Sequence, residues 1–343
     1  METQYIDPIG YQGWDDIIVE KFKGDIFHTT AWAKVLKDTY DFTPIYFALM
    51  EADFLKAIIP LFEARSLLTG KRGVSLPFTD FCNFLTESEE LIPTLIENIF
   101  EYGRQKNWKY VEFRSLQFPY EALASEVFFT HDIDLSTSTE AIWASLKDSN
   151  RRNIKKALKE GVKIKFETNL EALKEFYRLQ VMTRKRHGLP PQPFKFFRII
   201  YKNIIAQNMG VIASAYYSNN IVASAIYFNF NKKAIFKFGA SDEKYHHLRP
   251  NNLIMWEALI WHKNKGCYNL NLGRTEEKNG GLLNYKRLWG GKERLLKYYR
   301  FDFRPNAFVK KKSYTTSFPP LVSSLCPDFL RKLIGILLYR HFG

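Results

Sequence analysis

The alternation of apolar and polar residues predicts two α/β segments of similar design. In the first half, two apolar runs flank the polar turn at 51–53, which is typical of a β-hairpin. The predicted elements of this half are strands near 44–50 and 54–64, a helix near 89–106 and a strand near 108–114. The second half repeats the order, with strands near 210–217, 220–230 and 234–240, a helix near 251–265 and a strand near 267–272.

A shared spacing supports the repeat. Glu97 lies early in the first long helix, and Arg114 follows the next strand 17 positions later, since 114 − 97 = 17. Glu257 and Arg274 occupy the corresponding places in the second half at the same spacing, since 274 − 257 = 17. Chance similarity remains the alternative, but internal similarity at a fixed spacing favours a duplicated α/β unit.

The segment between the halves and the C-terminal end complete the organisation. A basic helix begins near Ser149 and is ended by Gly161, and a strand follows. Helices near 169–187 and 194–207 are separated by the prolines of 188–193. A proline-marked linker and a final helix near 328–341 close the chain. The predicted domains are 1–148, 149–304 and 305–343, and the fold class is α/β (α+β) with a C-terminal amphipathic helix.

Composition indicates the chemical class of the binding partner but does not identify it. Hydrophobic residues make up 46% and charged residues 25%, as in ordinary globular proteins. The formal net charge of +14 indicates a polyanionic partner: nucleic acid, a pyrophosphate-bearing substrate or an anionic membrane. Three isolated cysteines form neither a disulfide framework nor a zinc motif, and no signal peptide or apolar run of about 20 residues is present. These features predict a cytoplasmic protein.

The standard motifs of several enzyme classes are missing. The sequence contains no G-x-x-x-x-G-K-[ST] phosphate loop, no G-x-G-x-x-G, no H-E-x-x-H and no G-x-S-x-G. Its seven histidines are scattered along the chain. We therefore expect neither a metal nor a resident cofactor.

The densest candidate site is 272–291, "LGRTEEKNGGLLNYKRLWGG". A strand ends there, and a polar, glycine-containing loop is predicted to carry Arg274 and the Tyr285–Lys286 pair. Loops after strands hold the chemistry of many α/β proteins, which favours a substrate loop. A turn capped by a lysine is the simpler interpretation.

Two further basic clusters have both a functional and a simpler interpretation. Arg151, Arg152, Lys155 and Lys156 lie on the basic helix, where they form either a phosphate-binding face or an ordinary solvated face. Arg184 and Arg186 lie at a helix end just before prolines. Cations there interact favourably with the helix dipole, and arginine also binds phosphate in a bidentate manner.

These stretches resemble the FemABX-like peptidyltransferases of the GNAT-type fold and the shorter BioF2-like acetyltransferase-domain proteins. The resemblance is carried by "SNRRNIKKALKEGVKI", "MTRKRHGLP" and "NLGRTEEKNGGLLNYKRLWGG", and it extends over roughly residues 14 to 302. It implies tandem GNAT-like domains, each a mixed sheet flanked by helices. It also implies transfer of an acyl or aminoacyl group to an amine of a peptidoglycan precursor or an exopolysaccharide-associated acceptor.

The resemblance also implies roles for single residues. The family's phenylalanine–lysine pair near the acyl-transfer centre matches Tyr285–Lys286, with tyrosine in place of phenylalanine, which leaves the role of the aromatic ring open. A family arginine that holds precursor phosphates matches Arg186, or Arg184 if the helix register differs. The basic stretch at 151–156 resembles the family's basic helix without an assigned role.

A mechanism follows for Lys286. Amine attack on an ester or thioester creates an oxyanion, and a fixed ammonium stabilises that charge most in the transition state.

The turn that would hold the pyrophosphate of acetyl-CoA corresponds to "YHHLRPNN" (245–252), which has no glycine and contains Pro250. A phosphate nest requires free backbone N–H groups, so aminoacyl-tRNA or another acyl donor is favoured over acetyl-CoA.

Two alternatives stay open at this stage. The chain could be an acetyl-CoA-dependent N-acetyltransferase of polysaccharide biosynthesis, or a non-catalytic GNAT-fold binding module at the membrane surface. The last helix places Leu330, Leu333, Ile334, Leu337 and Leu338 on one face, surrounded by Arg331, Lys332 and Arg340. This pattern is typical of a helix that lies on an anionic membrane, near a lipid-linked acceptor, and also of a helix docked on its own domain.

Overall fold

The computed structural model describes residues 1–310 and 326–341. They form two compact units: 1–128 with 295–310 and 337–341 (unit 1), and 129–294 with 326–336 (unit 2). The domain boundaries expected after residues 148 and 304 stay predictions. Most of the predicted proline-marked linker lies outside the described residues.

The described helices and strands alternate along the chain. The helices are α1 (Trp14–Glu20), α2 (Thr30–Tyr40), α3 (Ile92–Gln105), α4 (Thr139–Ser145), α5 (Asp148–Lys159), α6 (Leu170–Arg186), α7 (Phe194–Asn203), α8 (Pro250–Asn264), α9 (Gly280–Arg287) and α10 (Asp328–Leu338). The strands are β1 (Glu2–Ile6), β2 (Thr43–Pro44), β3 (Tyr46–Glu51), β4 (Phe54–Ile59), β5 (Phe62–Ser66), β6 (Gly70–Val74), β7 (Leu85–Thr86), β8 (Tyr110–Phe113), β9 (Glu126–Asp134), β10 (Lys163–Glu167), β11 (Gly210–Tyr217), β12 (Asn220–Phe230), β13 (Lys233–Ser241), β14 (Asn269–Glu276), β15 (Lys292–Asp302) and β16 (Ala307–Phe308).

Unit 1 contains two groups of paired strands. The first has the order β1-β3-β4-β7, and in the second β15, β8, β6, β5 and β2 are neighbours in that order. The predicted strand at 54–64 is two strands, β4 and β5, which belong to different groups. Pro60 lies between them and lacks the N–H that a continuous ladder would use, so the strand is interrupted there. The apolar face of α3 packs on this unit's strands, against residues such as Phe47, Val111 and Phe113.

Unit 2 contains an antiparallel series followed by a parallel pair. Strands β10, β11, β12 and β13 pair antiparallel in sequence order, and β13 then pairs in parallel with β14. Helix α8 connects the two parallel strands. Its buried residues pack on the sheet together with those of α5, and this core includes Ile154, Val211, Leu253, Leu259 and Leu270.

The predicted duplication corresponds to a shared motif in the two units. In unit 1, β6 and β8 are parallel and α3 precedes β8 in the chain; in unit 2, β13, α8 and β14 follow the same pattern. Glu97 and Glu257 lie on the two helices, but Glu97 is exposed whereas Glu257 is half-buried. The repeated spacing therefore reflects shared topology and not a shared role. The predicted fold class, mixed sheets flanked by helices in tandem, is confirmed.

The C-terminal helix is present, and the residues of its predicted apolar face differ in burial. Leu330, Ile334 and Leu338 are half-buried, and Arg331 is fully buried. The exposed apolar residues of α10 are Phe329, Leu333, Ile336 and Leu337. Close packing explains the orientation, because a Cβ on Gly335 would lie 2.1 Å from the carbonyl oxygen of Pro191. No helix in the described part of the chain is long and apolar enough to span a bilayer.

Candidate active site

The parallel strands β13 and β14 open towards their carboxyl ends. Their pairing covers Lys233–Ile235 of β13 and Asn269–Asn271 of β14, and both strands then continue for several residues. A bulge interrupts β13, where Phe236 and Phe238 pair with consecutive residues of β12 and leave Lys237 as the extra residue. Bulges bend a strand and are frequent beside functional sites. The diverging carboxyl ends are therefore the candidate ligand-binding edge of unit 2.

Lys286 lies on a helix at this edge. The predicted loop is wrong here: residues 280–287 form α9, whose N-cap residue Asn279 accepts a hydrogen bond from the backbone N–H of Leu282. The Lys286 side chain is almost fully buried, at 3% exposure. Its Nζ donates to the carbonyl oxygens of Gly273 (2.9 Å) and Arg274 (3.1 Å) of β14. The ammonium is therefore fixed against the carboxyl-terminal half of that strand.

A left-handed residue in β14 makes these two carbonyls available. Gly273 has φ = +70°, a conformation that residues with a Cβ rarely adopt. Its N–H is bound by the side chain of Asn271 at 2.7 Å, and the Asn271 amide donates in turn to Thr130 (2.9 Å) and Asp132 (3.0 Å) of β9. Side chains thus satisfy the polar groups of the distorted backbone. Lys286, on α9, binds the carbonyl oxygens of the same backbone segment.

Tyr285 and the glycines after Trp289 have packing roles. The Tyr285 hydroxyl donates to the carbonyl of Asn251 at 3.4 Å, its ring lies 6.0 Å from that of Trp289, and burial raises its pKa. A Cβ on Gly290 would lie 2.6 Å from the Ser145 carbonyl, and one on Gly291 would lie 2.9 Å from that of Asp132. The two glycines therefore allow close approach of neighbouring backbone.

A second polar cluster beside Lys286 was not predicted from the sequence. His131 is fully buried on β9, and its Nε2 lies 2.9 Å from the Glu293 carboxylate. Arg287 donates to the same carboxylate through Nε (2.7 Å) and Nη2 (2.9 Å). Burial lowers the pKa of His131, and the nearby charge of Lys286 adds to this effect, whereas Glu293 opposes it. The cluster anchors the end of α9, the helix that carries Lys286.

The separation along the chain explains why this cluster was missed. His131 and Glu293 are 162 positions apart, so no local pattern connects them. The only local signal is the short distance in sequence between Arg287 and Glu293.

Arg186 lies at the same sheet edge. It is exposed at the end of α6, and its Nη1 lies 3.4 Å from the carbonyl oxygen of Ser241, the last residue of β13. The Ser241 hydroxyl lies 2.8 Å from Nε2 of His246, whose pKa is lowered by burial and by the Arg186 charge. Since β13 and β14 are parallel neighbours, the structure places Arg186 and Lys286 at the carboxyl ends of adjacent strands. Arg184 is half-buried in the same turn of α6.

The remaining basic candidates are placed separately on α5. Asn150, Ile154 and Ala157 form its buried face, and Asn150 accepts a hydrogen bond from Asn252 of α8 at 2.9 Å. Arg151 pairs with Asp148 and donates to the Ala144 carbonyl at 3.2 Å, so it has a local structural role. Lys155, Lys156 and Arg152 are exposed. A phosphate-binding role for this face stays a prediction.

The start of α8 has few features of a phosphate nest. Pro250 is the first helical residue and supplies no N–H, and the Asn252 N–H is bound to the Arg249 carbonyl at 3.1 Å. Arg249 itself has φ = +60°. A strand–helix turn that binds pyrophosphate presents several free N–H groups towards one point. This turn does not have that form.

A metal site has no support in the described residues. No group of three or more His, Cys, Asp or Glu side chains there could hold a metal ion.

Comparison with known proteins identifies the fold. Residues 144–287 match the family model described as an acetyltransferase (GNAT) domain. This part of the chain is similar to a GNAT domain. The matched range includes α5, both parallel strands and Lys286, and it confirms the predicted transferase of the GNAT type. No curated protein sequence matches the chain significantly.

Several solved structures resemble most of the chain. FemX has a TM-score of 0.67 at 13% identity, with 87% of this chain and 97% of FemX covered. The C-terminal domain of a putative lysylphosphatidylglycerol synthetase from Agrobacterium fabrum has a TM-score of 0.55 at 13% identity, covering 82% and 88%. A tandem GNAT protein from the clavulanic acid biosynthesis pathway has a TM-score of 0.55 at 8% identity, covering 88% and 99%. The predicted resemblance to FemABX-like GNAT proteins is thus confirmed for the fold.

Proposed function

We propose that this GNAT protein transfers an acyl or aminoacyl group to an amine of a phosphate-bearing cell-envelope precursor, of the peptidoglycan or exopolysaccharide type. The observation that carries the proposal is the buried Lys286 ammonium, held at the carboxyl end of β14 beside the end of β13. The names of two structural neighbours, FemX and a lysylphosphatidylglycerol synthetase, support an aminoacyl transferase of the cell envelope.

In the proposed reaction, the acceptor amine attacks the carbonyl carbon of an ester or thioester. A C–N bond forms, the carbonyl oxygen becomes negatively charged, and the C–O or C–S bond then breaks as the carbonyl is restored. The amine loses its proton to a substrate phosphate or to water. Lys286 stabilises the oxyanion through its charge, and because two backbone carbonyls already hold the ammonium, little reorganisation is needed during the reaction.

We assign the arginines at the end of α6 to binding the phosphate groups of the acceptor. Arg186 is exposed beside the last residue of β13, so its guanidinium is accessible to a phosphate. Arg184 lies in the same helical turn, and Arg274 is on β14, where its backbone carbonyl accepts a hydrogen bond from Lys286. Arginine suits phosphate because its planar guanidinium donates two parallel hydrogen bonds. Tyr285 supports Lys286 by fixing the position of α9 against the residue after Pro250.

For the donor, we favour aminoacyl-tRNA or another acyl donor over acetyl-CoA. Pro250 and the bound Asn252 N–H deprive the start of α8 of the donors that would hold a pyrophosphate. Acetyl-CoA-dependent N-acetyl transfer in polysaccharide biosynthesis is the second candidate, because the matching family model is that of acetyltransferases. With a lipid-linked acceptor, the reaction would take place at the inner face of the membrane.

Substitution of Lys286 tests the chemistry. We expect Lys286→Ala and Lys286→Met to lower kcat by about 10² to 10³, the usual effect of removing one oxyanion-stabilising group. The assay combines radiolabelled aminoacyl-tRNA, or acetyl-CoA in a parallel series, with peptidoglycan precursors that bear a free amine. Methionine keeps a long apolar stem in the buried space and removes the ammonium with its charge and its two hydrogen bonds, so this variant separates the ammonium from the packing.

The matched control is Lys278→Ala, which removes an exposed lysine two residues before α9. Lys278 is 69% exposed and pairs only loosely with Glu276 at 3.2 Å, and we expect its loss to leave kcat unchanged. Thermal unfolding shows whether each variant is folded. A folded Lys286→Met protein with near-normal turnover would mean that Lys286 only supports the backbone of β14. A non-catalytic binding module would give no transfer with either donor, even for the unmodified chain.

A further inference from the structure

The tip of the β5–β6 hairpin in unit 1 exposes two consecutive leucines. Leu67 is 101% exposed and Leu68 is 66% exposed, so both side chains are in water. The tip is well defined despite this exposure, because the Ser66 hydroxyl accepts hydrogen bonds from the N–H groups of Leu68 (3.1 Å) and Thr69 (2.9 Å). A fixed, convex pair of apolar side chains is costly in water and indicates a surface that becomes covered.

Cations surround the base of this tip. Arg65, Lys71 and Arg340 line a surface cavity of about 410 Å³, together with Ser66, Leu67 and Gly70. The acid that pairs with them there is Glu63, which lies 2.9 Å from Arg65 and 3.0 Å from Lys71. Three positive charges against one negative charge leave the tip with a local positive excess.

The C-terminal residues of unit 1 are attached to the same hairpin. His341 Nδ1 lies 2.8 Å from the Ser66 hydroxyl, and the His341 carbonyl accepts from Nη2 of the buried Arg72 at 3.1 Å. Arg72 also donates to Thr69 at 2.6 Å. These bonds hold Arg340 beside the tip, so its charge is part of the structure of this surface.

We propose that the Leu67–Leu68 tip, with Arg65, Lys71 and Arg340, docks on the surface of an anionic lipid bilayer. Leucines on a convex tip enter the interface between headgroups and acyl chains, while flanking arginines and lysines bind lipid phosphates. A nucleic acid would use the cations but leave the leucines in water. The net charge of +14 adds a general attraction to any polyanionic surface, and the leucines are what favour the bilayer.

Vesicle sedimentation with the full chain and no substrate tests this surface. The probes are vesicles of phosphatidylglycerol mixed with phosphatidylcholine, and vesicles of phosphatidylcholine alone. We expect binding to the anionic vesicles that weakens as salt is raised, and little binding to the neutral ones. The double variant Leu67→Ser/Leu68→Ser should lower the partition coefficient at least about tenfold, because two apolar side chains no longer leave water.

The chain offers a matched control at another hairpin. Phe54 is 66% exposed at the β3–β4 turn of the same unit, but its neighbours are Glu51 and Asp53. Phe54→Ser should bind anionic vesicles as the unmodified chain does. All these positions are exposed, so unfolding temperatures should not change.

Three results would overturn the proposal: no sedimentation with anionic vesicles, equal binding to neutral vesicles, or an unchanged partition coefficient for the leucine double variant. The measurement uses no donor or acceptor, so it stands whether or not acyl transfer is found.

Discussion

Two buried nitrogen-bearing side chains of unit 2 are accommodated in different ways. The Lys286 side chain donates hydrogen bonds to two backbone carbonyls of β14. His262, on α8, is fully buried, and neither of its ring nitrogens has a hydrogen-bond partner among the described residues. Its ring lies among aromatic rings, 5.4 Å from Tyr227 and 4.7 Å from Trp261. Burial without a partner disfavours the charged form and lowers the His262 pKa to about 3.

The His262 environment predicts acid sensitivity of folding. The folded pKa is below the ordinary value of about 6.5, so the unfolded chain takes up the proton first as the pH falls. Stability from this residue is complete above pH ~6.5 and is lost between there and pH ~3, by up to about 1.4 kcal/mol per pH unit. Urea unfolding at several pH values gives the free energy of unfolding as a function of pH. Between pH ~3 and ~6.5 this free energy should rise less steeply with pH for His262→Leu than for the unmodified chain. Leucine at the exposed His247 is the control, and a His262→Leu slope equal to that of the unmodified chain would contradict the assignment.

At the level of elements, α10 depends on one close backbone approach. Gly335 faces the carbonyl of Pro191, and a Cβ there would lie 2.1 Å from the oxygen. Arg331 lies one turn earlier on the same face, and its Nη2 donates to the Cys326 carbonyl at 3.0 Å. Substitution at Gly335 therefore acts on the position of the whole helix.

We expect Gly335→Ala to displace α10 and to lower the unfolding temperature by a few degrees, since overpacking costs about 1–3 kcal/mol. Displacement would also expose the buried Arg331, so trypsin should cleave there faster than in the unmodified chain. Gly281→Ala is the matched control, because a Cβ at this helical glycine meets nothing within 4 Å and alanine favours helix. Equal cleavage rates in the two variants would show that α10 tolerates the added methyl group.

At the level of the whole molecule, the positive charge predicts which donor binds. A chain of net charge +14 should bind tRNA through contacts with its phosphates. It should bind acetyl-CoA only weakly, because the turn at the start of α8 has few free N–H groups. Titration of the full chain should give saturable binding of charged tRNA that weakens at least about tenfold between ~50 and ~200 mM salt. Acetyl-CoA should show no saturable binding under the same conditions. The reverse result would favour the N-acetyltransferase alternative.

The pattern of apolar residues was sufficient for most elements and for the repeat. The second-half strands and α8 lie within a few residues of their predicted bounds, because long amphipathic segments have a strong periodic signal. The 54–64 run was predicted as one strand because its residues stay apolar across Pro60, while the two halves pair with different neighbours. The α9 helix was missed because two glycines and polar residues at 276–281 are typical of a loop.

Residue type and order alone determined that this protein is a basic, duplicated α/β chain with a lysine of interest after a strand. Only the tertiary structure decided what surrounds that lysine. The carbonyls of Gly273 and Arg274 lie in the preceding strand and not in the helix that carries Lys286, and His131 is 162 positions from its partner Glu293. The tertiary structure also decided which face of α10 is exposed, because close packing at Gly335 outweighs the amphipathic pattern. Local periodicity records which residues prefer burial, whereas the partner of each buried group depends on contacts that no local pattern encodes.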